Sequence, residues 1–231
     1  MLRFKSKAIV LPFLLGNLLA FPVLATSFKL QTNTVILDVG KQEATFNITN
    51  KGQSPMLLLT TLEDLPGDET FAERVLINPP VTRVNADSTQ YVTFTLRPGA
   101  PIDREYLLKV GFEGVGQQKA NNISIPVRQE IGFLVTPDHW VPSGTPWDAL
   151  TLTRKSDTLI LHNPSRQVVR LIPQVTLVKT GNTVGFGQPY IRPGESVTLS
   201  DIPLGAELEG LVLSPLSRYG YKLKDVTLWG Q

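Results

Sequence analysis

Catalytic or metal chemistry needs reactive side chains in sets, and this chain offers few such sets. Its two histidines stand apart: His139 between Asp138 and Trp140, and His162 at the end of the apolar run "TLILH". Structural or catalytic zinc takes three or four ligands at recognisable spacing. Neither histidine has such company, so both are read as structural and no metal is expected. The chain has no cysteine, which excludes thiol nucleophiles, thiolate metal sites and disulfides. No G-x-S-x-G elbow occurs. "GVGQQK" (114–119) lacks the spacing and the Ser/Thr of a phosphate loop and reads as a polar hairpin loop. "EDLPGDE" (63–69) gathers carboxylates around Pro66 and Gly67, the marks of an exposed turn. Asn47 and Asn122 open Asn-x-Thr and Asn-x-Ser patterns short enough to arise by chance. Neither an enzyme nor a cofactor is expected.

One stretch carries a different signal. In "NISIPVRQEIGFLVTP" (122–137), Ile123, Ile125, Val127, Ile131, Phe133 and Val135 share one parity. A period of two sends successive strand side chains to opposite faces. Pro126 interrupts this strand, and proline cannot donate to a sheet ladder, so it belongs at an edge. The sequence thus describes a long strand with an apolar face, built to lie at an open edge.

The elements around it follow from composition. Arg3, Lys5 and Lys7 precede the apolar run "AIVLPFLLGNLLAFPVLA", which ends in small residues at Ala25. This is the pattern of a cleavable secretory signal, residues 1–25. Pro12, Gly16, Asn17 and Pro22 break it up as a membrane anchor, so stable membrane insertion is not expected. The mature chain is therefore expected to be exported from the cytoplasm. The leader takes three bases and no acid, so 22 bases and 20 acids become 19 and 20, a mature charge of −1. A nucleic-acid partner wants a concentrated basic surface and is not expected.

The rest reads as all-β. "NTVILDV", "EATFNITN", "PMLLLTTLE", "QYVTFTLRP" and "YLLKVGFEG" are short strand-like runs separated by turns. "ALTLTR", "TLILHN", "VVRLIPQVTLVK", "SVTLSDI", "LEGLVLS" and "YKLKDVTLW" follow. Such spacing with no helical periodicity predicts β-sandwiches. The Pro-, Gly- and Ser-bearing segment "TPDHWVPSGTPWDAL" (136–150) is the expected joint between two domains, 26–138 and 139–231.

Two further motifs carry a family resemblance. Pro79-Pro80-Val81-Thr82-Arg83, a polar turn, an alternating strand and then Asp103-Arg104-Glu105-Tyr106-Leu107 resemble the periplasmic chaperones of the chaperone/usher pilus pathway, in order and spacing. The resemblance implies two immunoglobulin-like sandwiches in an angled, boomerang arrangement. It implies pilus subunits and an outer-membrane usher as partners. It also implies donor-strand complementation, in which the chaperone lends a strand to a subunit that lacks one. On that reading Ile123, Ile125 and Val127 enter the subunit's groove. A dimer in which free molecules cap one another's sticky strand is compatible with the same pattern. The rival readings are a pilus subunit or other secreted sandwich adhesin, and a sugar-binding or degradative sandwich enzyme.

The chain departs from the family in two places. The resemblance implies two cleft bases that hold the subunit's terminal carboxylate, but Thr34 and Gly132 stand there. Arg128 and Lys29 are the substitute candidates. It also implies a charge network at the joint. Glu105 matches one member of it, while Thr136 stands in the place of its arginine and no acid is evident near "SPLSRYG" (214–220). The network is therefore expected to be absent or rebuilt, with Glu105 paired to Arg104 or Arg83. The short segment "GVGQQKANN" (114–122) resembles that of chaperones for rod-shaped pili.

Overall fold

The computed structural model describes residues 27–67, 70–116, 125–155, 158–200 and 210–230. The predicted leader, Ile123 and Asn122 lie outside them. Among the described residues nine strands build the first sandwich: β1 (Phe28–Leu30), β2 (Thr34–Asp38), β3 (Glu43–Asn50), β4 (Met56–Glu63), β5 (Val75–Asn78), β6 (Val81–Val84), β7 (Thr89–Leu96), β8 (Tyr106–Gly116) and β9 (Val127–Thr136). Eight more build the second: β10 (Thr151–Lys155), β11 (Thr158–His162), β12 (Val169–Leu177), β13 (Thr183–Gly185), β14 (Tyr190–Ile191), β15 (Ser196–Leu199), β16 (Gly210–Pro215) and β17 (Val226–Trp229).

Alternation decides which residues are inside. Along β3, Phe46, Ile48 and Asn50 are buried while their neighbours are not. The first domain packs the sheet β1-β3-β7-β5 against the sheet β2-β9-β8-β4-β6. Aromatic pairs cross between the two layers. Phe46 of β3 stacks on Phe112 of β8 at 5.3 Å, and Phe94 of β7 meets Phe133 of β9 at 4.9 Å. Each ring removes a large apolar area from water, and each pair adds about 0.5–1.5 kcal/mol beyond that burial. Phe133 therefore pins the C-terminal half of β9 to its own domain. The second domain packs β10-β11-β15 against β13-β12-β16-β17, with β14 also on β12, around Trp147, Leu161, Leu171 and Leu213.

The Pro79-Pro80 motif has a clear job in this frame. β5 belongs to the first sheet, through β7, and β6 to the second, through β4. The chain changes sheets at the two prolines, where ladder pairing must lapse and a missing N–H costs little. The Asn78–Pro79 bond is cis, and the Pro80 carbonyl accepts from Thr60 N at 2.8 Å.

Buried asparagines close a turn in each domain. The Asn50 side chain donates to the carbonyls of Ser54, Val84 and Asn85 and accepts from Gly52 N. The Asn163 side chain donates to the carbonyls of Gln167 and Ile191 and accepts from Ser165 N. Both polar groups are buried and satisfied, as buried polar groups must be. A small apolar seam of Leu107 and Leu134 from the first domain and Val168 from the second joins the two cores, with Ile36, Leu65 and Tyr190 packed on it.

Candidate functional site

β9 is asymmetric along its length. On one side it pairs with β8 throughout, from Val127 opposite Gly114 to Val135 opposite Tyr106. On the other side β2 runs parallel to it only from Gly132 opposite Thr34 to Thr136 opposite Asp38. Among the described residues no strand covers the outer side over Val127–Ile131, so the five-stranded sheet carries an open stretch of edge. Exposed backbone donors and acceptors at such an edge are a template for another chain.

Pro126 lies just before β9 rather than inside it, since the strand starts at Val127. The lack of an N–H fixes that boundary. Ile125 precedes Pro126 and is 66% exposed. Val127 and Ile131 are half-buried against the first core. The Gln129 side chain donates to the Phe28 carbonyl of β1 at 3.1 Å.

The outward face of β9 is charged. Arg128 meets Glu63 at 2.8 Å, Glu130 at 2.9 Å and Glu113 at 3.7 Å, and Lys109 meets Glu63 at 3.1 Å and Glu130 at 3.4 Å. A Cβ at position 111 would stand 2.5 Å from Arg128 Nη2, so Gly111 lets the guanidinium lie across the sheet. Hydrogen bonding to Glu130 raises the pKa of Arg128, and the same bond lowers that of Glu130. The lattice holds two bases and three acids, so Arg128 is already answered by negative charge. Lys29 is on β1, opposite Thr49, in the other sheet. Exposed pairs contribute little individually. Arg128→Ala is therefore expected to shift stability by only about 0.5–1 kcal/mol, less at high salt. A denaturant melt at two ionic strengths checks this, and a loss of several kcal/mol would refute it.

The joint between domains holds a rebuilt charge pair. Glu105, with its side chain 1% exposed, accepts from Arg218 Nη2 at 2.7 Å. It also accepts from Val168 N at 2.9 Å, and its own N–H donates to the Arg166 carbonyl at 2.9 Å. Arg218 donates to the Thr136 hydroxyl as well. The partner of Glu105 is thus Arg218 of the second domain, not Arg104, which lies over the Tyr106 ring, nor Arg83, which is exposed on β6. Burial pushes the Glu105 carboxyl above its usual range, and Arg218 and Val168 N–H pull the other way without cancelling it.

Sequence reasoning missed Arg170. It lies on β12 between Val169 and Leu171, both buried in the second core, so it faces away from that core. Its Nη1 donates to the Thr34 hydroxyl and, at 3.1 Å, to the Arg218 carbonyl. The two positions where bases were sought, Thr34 and Gly132, both lie under this guanidinium. A Cβ at position 132 would be 3.6 Å from Arg170 Nη1.

The remaining sequence candidates are structural in place. His162 Nδ1 sits 3.1 Å from the Glu195 carbonyl and 3.0 Å from Ser196 Oγ. His139 is exposed beside Asp138. Among the described residues no three potential ligands cluster as a metal site would require. In the "EDLPGDE" turn, Asp64 accepts from the N–H groups of Phe71 and Ala72. Among the described residues no helix is long and apolar enough to cross a membrane.

Two β-sandwiches joined by a buried ion pair, with one open edge beside the joint, form the architecture of a pilus-assembly chaperone. The profile of pili and flagellar-assembly chaperones, PapD N-terminal domain, matches residues 27–140. The fimbrial chaperone YhcA of Escherichia coli K12 is 31% identical over 201 residues, 86% of this chain and 88% of that one. The chain belongs to this family of fimbrial chaperones. The Pseudomonas aeruginosa CupB2 chaperone shares the fold with a TM-score of 0.71 at 17% identity, over 88% of this chain and 100% of its own. A chain in the complex of the Salmonella enterica SafA pilin with the SafB chaperone does so with a TM-score of 0.71 at 22% identity, over 88% of this chain and 96% of its own.

Proposed function

We propose that this chaperone, cut after Ala25 and exported to the periplasm, completes the fold of pilus subunits by lending them the strand that runs from Ile123 into β9. The observation that carries this is the uncovered side of β9 over Val127–Ile131, with Ile125 exposed at its approach. Ile123, Ile125 and Val127 enter the subunit's groove. Each such side chain contributes about 1.5–3 kcal/mol when fully buried, before ordering costs. The backbone adds ladder hydrogen bonds, as in other cases of strand addition. No nucleotide is required, because burial and pairing supply the free energy. The complex is then handed to an outer-membrane usher, and two free molecules compete for the same edge by capping one another.

A pilus subunit would lack a strand of its own sandwich. Here β9 completes the five-stranded sheet and Phe133 fills its own core, which favours the chaperone reading.

Hydrogen exchange tests the edge directly. Those backbone amides of residues 125–131 that point to the open side rather than to β8 are expected to exchange quickly in the free protein and to slow on binding a co-purified pilin, because an unpaired edge gains a ladder partner. Unchanged exchange there, with protection elsewhere, would refute strand lending at β9.

A further inference from the structure

We propose that Gln167 locks the linker between the two sandwiches, so that the angle between them is set before any partner arrives. Gln167 is 3% exposed, so a partner cannot work on it directly, and the lock stands or falls independently of strand lending. Relative motion is the default for two domains joined by a linker. Here the segment 137–145, between β9 and the short 3₁₀ helix Pro146–Ala149, is tied down at Ser143. Ser143 N donates to the side-chain carbonyl of Gln167 at 2.8 Å, and the Gln167 side-chain amide donates to the Ser143 carbonyl at 3.1 Å. The two bonds close a ring like that of a paired strand, with a side chain in place of one backbone. Pro137 is buried on one side of this tie and Trp147 fills the second core on the other. The span left to flex shrinks to residues 138–142.

The turn that supplies Gln167 is itself braced. Asn163 donates to the Gln167 and Ile191 carbonyls. The Ser165 hydroxyl donates to the Asn163 side chain at 2.7 Å and accepts from Gln167 N at 3.2 Å. Three successive residues then reach outward from a fixed frame. The Arg166 carbonyl accepts from Glu105 N, and Val168 N donates to the Glu105 carboxylate. Gln167, between them, takes the linker. One turn of the second domain thus grips both segments along which the first domain could swing away, the approach to β8 and the exit from β9.

The two grips differ in kind. The grip on Glu105 includes the ion pair with Arg218. The grip on Ser143 carries no charge, so salt does not screen it, and its burial strengthens both bonds. Only a primary amide fits the place. It alone offers an acceptor to the Ser143 N–H and a donor to the Ser143 carbonyl from one side chain, whereas a carboxylate offers acceptors alone.

The chain has no cysteine, so spin labels can be placed at will. Tyr91→Cys on β7 and Thr227→Cys on β17, both exposed, mark one domain each. In the full-length mature protein carrying these two labels, pulsed spin-resonance distances are expected to form one narrow distribution. It should stay the same at about 1 M salt and when a co-purified pilin is bound. Gln167→Ala is expected to widen the distribution at least twofold. It should also speed exchange of the Ser143 amide about tenfold to a hundredfold, as two lost hydrogen bonds imply. Gln167→Glu keeps the size of the side chain but sets an oxygen against the Ser143 carbonyl, and is expected to widen the distribution as well. A broad distribution in the labelled protein without further change, or a narrow one that survives both Gln167 variants, would overturn the lock. A narrow distribution that moves to a new distance when pilin binds would overturn the preset angle.

Discussion

Replacing Ile125 with aspartate is expected to abolish capture of a co-expressed pilus subunit while leaving the chaperone folded. Ile125 is 66% exposed and belongs to neither core, so its own domain gains little from it. Exposed substitutions of this kind usually stay within about 0.5 kcal/mol. In the complex the same side chain would sit in an apolar groove. The substitution would remove up to about 3 kcal/mol of burial. It would also carry an unpaired carboxylate into that groove, at a further cost of several kcal/mol unless it takes up a proton. Together these exceed about 4 kcal/mol, roughly a thousandfold in affinity. Affinity pull-down with a tagged subunit reads the loss, and circular dichroism reads the fold. Subunit recovered at the unmodified protein's yield would remove Ile125 from the interface. Val127→Asp is a poorer probe, because Val127 also rests against the first core.

What the sequence could show, and what it could not, follows from how far each signal reaches. Period-two alternation is local, so runs such as "EATFNITN" and "QYVTFTLRP" become β3 and β7 with their apolar members inside. The sheet change at Pro79-Pro80 is also local in chemistry, yet the flanking β5 and β6 are four residues each, too short to alternate convincingly. The joint is where sequence reading stopped. The resemblance implies an arginine at position 136 and an acid near "SPLSRYG", and this chain has neither. The chain instead places the arginine, Arg218, in the second domain and keeps Thr136 as its acceptor. An ion pair reads the same in space whichever strand supplies which sign, and sequence order hides that exchange. Arg170 was hidden for a related reason. The order Val169-Arg170-Leu171 says that the arginine points away from its own core. It cannot say that the far side of the sheet meets Thr34, 136 residues upstream, together with Gly132, both in the other domain.

The rebuilt joint makes the second large prediction. Arg218→Met is expected to lower stability by about 3–5 kcal/mol at neutral pH, the usual cost of leaving a buried charge without its partner. Glu105 would keep the Val168 N–H and the Thr136 hydroxyl but lose Arg218, which supplies its one ion pair among the described residues. The double change Glu105→Gln with Arg218→Met is expected to recover most of the loss, because glutamine still accepts from Val168 N–H and no charge remains buried. The pH dependence has a definite sign. Burial already holds the Glu105 pKa above its unfolded value. Its contribution is therefore fully present below the unfolded pKa and is lost as pH rises through the folded one. Removing Arg218 takes away the strongest opposing influence and raises the folded pKa further. The deficit of Arg218→Met relative to the unmodified protein should thus shrink as pH falls from neutral toward the usual glutamate range. The double variant, with no carboxyl at position 105, should lose the part of the pH dependence that Glu105 carries in the other two proteins. Denaturant midpoints across that range measure both trends. A deficit that grows on acidification, or a double variant no better than Arg218→Met, would mean that the pair is not what holds Glu105 at the joint.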